Sequence, residues 1–461
     1  MPGTQRARSG SVTVPSRRAA SPPRCTRFIE DDKCHVQGSE GSPSFLQEPG
    51  TEGSERSDAE TRPFRAAPGG CHPDGVIDLS DIPVVDNHVH PWRATTRYLT
   101  AEQLAGCPAF SEGVVESVRK PYLPAAELEP ALRLFRETSL GSAYLLGELA
   151  RFLGVESKWE TVAAARNAAA AADYRAWTAR LFADAAIDAL LVDEGGAQPR
   201  ITLDELGAYV PARLRRVARS DNFIRDLLPQ TATWAEFFQR YQQELQNAID
   251  DGAIAFKSVI AYRTGLDVEP VSEDAARQNF EASRTAPELA QKTFRDFLLC
   301  HTMDVARERG LWLHIHAGVG DPDIVYQRAN PALLYPLLHS ERFRTNRVVL
   351  VHGGWPWVGE AAAMVAILPN VYLDVSEGTL FGMPNVRQRM LEALEACPYS
   401  KILYGADGSI PEALWITARR YKHVLGRVLA ELVDEGFCTQ EGSYQVGQMI
   451  LHDNAARLYE L

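Results

Sequence analysis

The sequence lacks any apolar run approaching the ~18 residues of a membrane span, and its small-residue, Arg-rich start lacks the apolar block of a secretory signal. A soluble, cytoplasmic protein is therefore expected. Positive charge is in deficit: 48 Lys and Arg face 60 Asp and Glu, for a formal net charge of -12. Nucleic-acid affinity rests mostly on cations that neutralise phosphates, so nucleic acid is excluded as the expected partner, and no membrane surface is expected either. Cysteine is sparse. The seven (Cys25, Cys34, Cys71, Cys107, Cys300, Cys397 and Cys438) are odd in number, far apart and without a C-x-x-C pair, which excludes a disulfide framework or zinc finger and predicts reduced thiols. Hydrophobic residues, at 45% of 461, are enough for a sizeable core.

Residues 1–75 are crowded with Ser, Pro, Gly and Arg and have no apolar periodicity, which predicts a disordered tail. Arg6, Arg8, Arg17, Arg18, Arg24 and Arg27 precede its first acid, Glu30. A transit peptide would share that start, but no amphipathic helix is visible, and a non-functional extension is the simpler reading.

From residue 76 to 461 the pattern becomes short β-branched runs separated by helical stretches, the signature of repeated βα units. The runs are Ile82–Asp86, Ile187–Val192, Leu214–Ala218, Ile254–Tyr262, Leu311–His316, Arg347–His352, Val371–Val375 and Lys401–Tyr404, with helices such as Trp234–Asp251 and Glu288–Gly310 between them. Eight such units predict an α/β fold, a (β/α)8 TIM barrel, with a doubly wound sheet as the alternative. In the third run the arginines of LRRVAR also suit a helix end. Between the first two runs, about 94–186, lies an Ala-, Leu- and Glu-rich stretch of 3.6-residue period. It reads as a helical insertion after strand 1, either capping the catalytic face or forming an accessory packing layer.

Five of the eleven histidines, His88, His90, His314, His316 and His352, fall at or just past the C-terminal ends of these runs. In a barrel of parallel strands that end is the active-site face. In IPVVDNHVHPWR a strand runs directly into His88-Val89-His90, and positions i and i+2 of an extended segment share a side, so both imidazoles can reach one metal ion. LWLHIHAGVGD adds His314 and His316, LVHGGW adds His352, and KILYGADGS ends in Asp407. Lys257 sits inside an apolar strand, where an unpaired ammonium would be costly. It is either functional or the partner of a nearby carboxylate, and His314 is either a site residue or a satisfied core histidine. Arg263 is read as a carboxylate clamp or an ordinary salt bridge. Asp321 and Glu377, in loops after strands five and seven, are candidates to recognise an amine or orient ligands. Trp355, Trp357 and Trp92 are candidates to wall an apolar pocket, or simple packing residues.

The ordered series VDNHVHP, KSVIAYRTGL, HIHAGVGD with ANPALLYPLL, LVHGGWPW, VYLDVSE, ILYGADG and DNAARLY spans Val84 to Tyr459. It resembles the amidohydrolase superfamily, in its amidohydrolase-related branch, especially the domains fused to glutamine-synthetase-like proteins. The resemblance implies that His88, His90, His316 and Asp407 bind a catalytic divalent metal, with His352 free for proton transfer or substrate polarisation. In two-metal members a carboxylated lysine bridges the ions; Lys257 stands at that position, and His352 would then be a ligand of the second metal. Zinc is the expected ion, with manganese, iron or nickel open to the same N/O donors. Asp407 would accept the proton of the attacking water and pass it to the leaving group. The expected activity is hydrolysis of an amide, or an ester or lactone, in a small carboxylate-bearing substrate. A metal-dependent non-oxidative decarboxylase and a non-catalytic metal-binding regulatory domain are the alternatives. A homodimer is expected on base rate alone.

Overall fold

The computed structural model describes residues 75–107, 124–195, 200–285, 288–320, 323–376 and 386–461. The predicted tail at 1–75, apart from its last residue, and the candidates Asp321 and Glu377 lie outside the described residues.

Eight strands form one parallel sheet in chain order: β1 Val84–Val89, β2 Ile187–Asp193, β3 Arg213–Arg219, β4 Ala253–Ser258, β5 Trp312–His316, β6 Arg347–Val351, β7 Val371–Asp374 and β8 Ile402–Leu403. A doubly wound sheet would reverse its strand order at a switch point; this one does not. The arginine-rich third run is a strand, paired with β2 from Ala189↔Arg213 to Asp193↔Val217. The segment after β8 closes the barrel on β1: Asn87 N donates to Tyr404 O (3.0 Å), Asp407 N to His88 O (2.8 Å) and His90 N to Gly408 O (2.9 Å). The buried Asp86 carboxylate stitches the same seam, accepting from Ala406 N (2.9 Å) and His88 N (3.3 Å).

The two-residue strand period sorts the side chains into two cores. Leu190, Ala218, Phe256, Leu313, Ile315 and Leu350 face the surrounding helices, while Ala189, Leu191, Val217, Ala255, Trp312, Val349 and Val351 fill the barrel. The C-terminal helix Asn454–Tyr459 plugs the N-terminal end of the barrel, where Trp312 Nε1 donates to Leu458 O (3.0 Å).

Between β1 and β2 the chain forms α1 Ala101–Gly106, α2 Ala125–Thr138, α3 Leu140–Leu153, α4 Trp159–Ala172 and α5 Tyr174–Ala185. Thr100 and Gln103 make a capping box at α1, Asp173 caps α5, and Gly154 ends α3 in the left-handed conformation (φ 70°). Helices α4 and α5 dock on α6 (Pro411–Asp434) through a fully buried ion pair, Arg166 Nε to Glu412 Oε1 (2.7 Å), whose carboxylate also accepts from Trp177 Nε1 (2.6 Å). Trp415 Nε1 and Arg419 Nη1 of α6 both reach Asp184 at the end of α5 (2.7 and 2.6 Å). These helices therefore pack as an outer layer of the barrel. Helix α5 leads directly into β2 and packs against the helix that follows β8, so it is the barrel's own helix between β1 and β2; the 3.6-residue period, which an inserted helix shares, does not mark the difference.

Candidate metal centre at the barrel seam

Inward-facing positions that are apolar lower in the barrel become polar at the C-terminal strand ends. Asp193 ends β2, Arg219 ends β3, Lys257 lies on β4, His316 ends β5, His352 follows β6, Asp374 ends β7 and Asp407 follows β8. Barrel closure, which hydrogen-bonds Asp407 N to His88 O, sets Asp407 Oδ1 3.4 Å from His88 Nε2 and 3.3 Å from His90 Nε2. His88, His90 and Asp407 each offer a ligand atom, all within 4.8 Å of one another.

This donor set fits a cation. His90 Nδ1 lies 3.2 Å from the Asp193 carbonyl oxygen, to which it can only donate, and this bond aims Nε2 at the Asp407 carboxylate. Burial holds His88, His316 and His352 well below the ordinary imidazole range, with Lys257 adding to the effect at His88 and His316 and His316 adding to it at His352. Their rings are neutral. Burial opposes ionisation of Asp407, but His352, His90 and Lys257 outweigh it and hold the carboxyl below its usual range. Imidazole nitrogens and a carboxylate thus face one another, and Asp407 Oδ1 and His316 Nε2 are buried with no hydrogen-bond partner among the described residues. A tetrahedral ion with bonds of ~2.1 Å spaces its ligands by about 3.4 Å, which matches the two contacts.

The other expected residues divide. His316 is buried and packs at a tilt against His352 (ring centroids 4.2 Å, planes 52° apart), beside the trio rather than within it. Lys257 Nζ is 3.4 Å from His88 Nε2, and burial brings its pKa down to about 8 against the opposing pull of Asp193. His314 lies deeper, with Nε2 2.8 Å from the Tyr459 hydroxyl, so of the two earlier readings its contacts are those of the core histidine. Arg263 pairs with Glu288 (3.4 Å) as an ordinary salt bridge. Trp355 lies against Arg389 (guanidinium 4.5 Å from the ring centroid), and Trp92 is buried and accepts the Tyr209 hydroxyl on its carbonyl. His352 (φ 77°) and Asp407 (φ 53°) both adopt left-handed backbone, which costs non-glycine residues of order 1–3 kcal/mol and is concentrated at functional sites.

Several residues were not among the candidates. Asp193 is fully buried, receives a bidentate Arg219 and orients His90. The apolar run was ended at Val192, one residue short of it. Tyr262 packs edge-on against His316 (4.6 Å), so close to Gly320 that a Cβ there would lie 1.7 Å from its hydroxyl. Asn87, Asp374, Ser376 and Tyr459 form a buried network, Tyr459 OH to Asn87 Oδ1 (2.8 Å) and Asn87 Nδ2 to Asp374 Oδ2 (2.7 Å).

A (β/α)8 barrel with imidazoles and a carboxylate converging at its C-terminal mouth is the scaffold of a metal-dependent enzyme. The Amidohydrolase family model (Amidohydro_2) matches residues 85–461, and the chain belongs to that family. It is 27% identical over 413 residues to the protein fluG of Emericella nidulans, an alignment that covers 82% of this chain and 46% of fluG, so the chain spans about half the length of that relative. Among solved structures it is similar to a Lactobacillus casei protein carrying the provisional name of a metal-dependent hydrolase (TM-score 0.71, 24% identity, 84% of this chain and 98% of that one). The uronate isomerase of Thermotoga maritima shares the fold at TM-score 0.61 and 15% identity, over 84% of this chain and 98% of that one. Among the described residues no helix is long and apolar enough to cross a membrane, and Cys300, Cys397 and Cys438 are free thiols.

Proposed function

We propose that the protein is a hydrolase that uses one divalent ion, zinc, to cleave an amide C–N bond, or an ester or lactone, in a small carboxylate-bearing substrate. The observation that carries this reading is the convergence of His88 Nε2 and His90 Nε2 on Asp407 Oδ1, at 3.4 and 3.3 Å, within a group whose ligand atoms all lie within 4.8 Å of one another. These three residues would hold the ion, with His316 Nε2 a further buried lone pair beside them. When bound, a divalent ion lowers the pKa of its water from ~15.7 to near ~7 and polarises a carbonyl. Asp407 takes the proton of the attacking water on its free oxygen and returns it to the departing nitrogen or oxygen. His352, 3.7 Å from Asp407 Oδ2, serves proton transfer or polarises the scissile carbonyl. Lys257 and Arg219, cations at the mouth, favour a substrate with a negative charge.

Two imidazoles and a carboxylate suit zinc, and manganese, iron and nickel accept the same donors. The free thiols support a reducing, cytoplasmic setting.

A panel of amides, esters and lactones turned over in ¹⁸O-labelled water tests the reaction. Hydrolysis puts one label into the new carboxylate of the product, and Asp407→Asn abolishes it. Release of carbon dioxide without label in the organic product would replace hydrolysis by decarboxylation.

A further inference from the structure

Packing holds the two imidazoles of the H-x-H unequally. His88 lies within β1 and is buried, whereas His90 lies past the end of that strand with its side chain 29% exposed. What holds the His90 ring is the Asp193 carbonyl at 3.2 Å from Nδ1, while His88 Nδ1 has no hydrogen-bond partner among the described residues. That carbonyl opens a turn fastened from several sides. Asp193 is the last residue of β2, Glu194 N donates to Val217 O (3.3 Å), and Gly195 takes left-handed backbone (φ 63°). Asp193 Oδ1 accepts from Gly195 N (3.1 Å) and Arg219 Nε (3.0 Å), and Oδ2 accepts from Arg219 Nη2. Asn222 Nδ2, on the helix Ser220–Leu227 that follows β3, donates to Gly195 O (2.6 Å). Gly195 itself lies against the ring, since a Cβ there would be 3.4 Å from His90 Nδ1. The two parallel bonds from Arg219 fix the carboxylate in orientation as well as in position, which a single bond does not. Asp193 is fully buried, so bulk water does not stand in for the guanidinium.

We propose that Arg219 is a positioning residue of the metal centre: by clamping the Asp193 carboxylate it holds the Asp193 carbonyl where it aims His90 at the ion, and so sets how tightly the ion is bound. The inference rests on the reading of His88, His90 and Asp407 as the ligands, and its residue acts on His90 only through Asp193. Outer partners of a ligating imidazole are worth about 10–100-fold in metal affinity. Removing Arg219 alone would leave a buried carboxylate unpaired and change the charge beside the ion. The informative variant therefore removes both charges. Asp193→Asn combined with Arg219→Met keeps the backbone carbonyl, an acceptor for Gly195 N and the local net charge, and lacks the fork.

The test measures Zn²⁺ affinity of the full chain by competition with a chromophoric chelator, and the visible spectrum of the Co²⁺-loaded chain, beside urea unfolding of the same samples. In the double variant the zinc Kd is expected to rise by about 10–100-fold and the Co²⁺ bands to shift, because the ligand field follows the His90 ring. A fork that served the fold alone would move the urea midpoint and leave the spectrum as it is. Arg219→Lys keeps a cation on Asp193 but replaces the fork by a single point of contact, so its Kd is expected to rise by less; it carries the test if the double variant does not fold. Wild-type zinc affinity together with an unchanged Co²⁺ spectrum, in whichever variant carries the test, overturns the proposal and leaves the metal reading standing. A wild type that takes up no zinc overturns both.

Discussion

Two sets of buried polar groups lie one above the other inside this barrel, and they differ in what their lone pairs meet. In the lower set, His314 Nε2, the Tyr459 hydroxyl, the Asn87 amide and the Asp374 carboxylate meet one another at 2.7–2.8 Å, donor to acceptor. In the upper set, His88 Nε2 and His90 Nε2 converge on one oxygen, Asp407 Oδ1, at 3.4 and 3.3 Å. His314 and His316 lie on the same strand and face two residues apart, about 7 Å by strand rise, yet Nε2 of the first is bonded and Nε2 of the second is not. The lower set is buried, whereas His90 and Asp407 of the upper set are partly exposed at the barrel mouth. His314 Nε2 gives its proton to the Tyr459 oxygen, whose own proton goes to Asn87 Oδ1, whereas His316 Nε2 meets no hydrogen-bond partner among the described residues; what separates the two histidines is whether the fold supplies Nε2 with a partner.

The comparison breaks most sharply at Asp407. Asp407→Asn removes the charge that neutralises the ion, and zinc bound per chain is expected to fall by at least about 100-fold in affinity, with hydrolysis lost, as read by equilibrium dialysis and assay. Lys257→Met tests the upper set from the other side. With a one-ion centre the metal content by elemental analysis stays at one, and a drop from two to one would instead mark Lys257 as a bridging ligand.

Next in size is the lower set. Tyr459→Phe leaves His314 Nε2 and Asn87 Oδ1 buried without their hydroxyl, and a loss of roughly 1–3 kcal/mol in denaturant unfolding is expected, with zinc still bound. The smallest effect sharpens the comparison with a histidine in neither set. His301 is packed between Phe238 and Phe297, and burial lowers its pKa below the ordinary imidazole value against the pull of Asp304. Below pH ~6.5 the unfolded chain binds the proton that the folded chain refuses, so this residue makes stability fall as pH drops through that value, by at most about 1.4 kcal/mol per unit. His301→Phe is expected to flatten the stability slope between pH 5 and 7 by part of that amount, in urea titrations, without altering metal content.

The barrel was legible because its strands are short β-branched runs with the required spacing, and seven of the eight needed only shifts of up to three residues at their ends; the run Ile254–Tyr262 stops as a strand at Ser258, its last three residues forming a 3-10 turn. Arg213–Arg219 was the ambiguous one, since three of its inward or edge positions carry arginine, and Arg219 turned out to be the partner of Asp193. Of the candidate site, the H-x-H, Lys257 and the histidines at strand ends could be read from position alone. Asp193 was missed because a carboxylate closing an apolar run looks like the start of a loop. The lower network was missed for a different reason: Tyr459 and Asn87 are 372 residues apart, and no local pattern records that a C-terminal helix turns back into the barrel.

Elemental analysis of zinc-supplemented protein tests the central claim most directly, comparing the wild type with His90→Asn from the upper set and His314→Asn from the lower. One ion per chain is expected in the wild type and in His314→Asn, with His90→Asn nearly empty. Zinc retained in His90→Asn, lost in His314→Asn alone, or absent from the wild type would contradict the account.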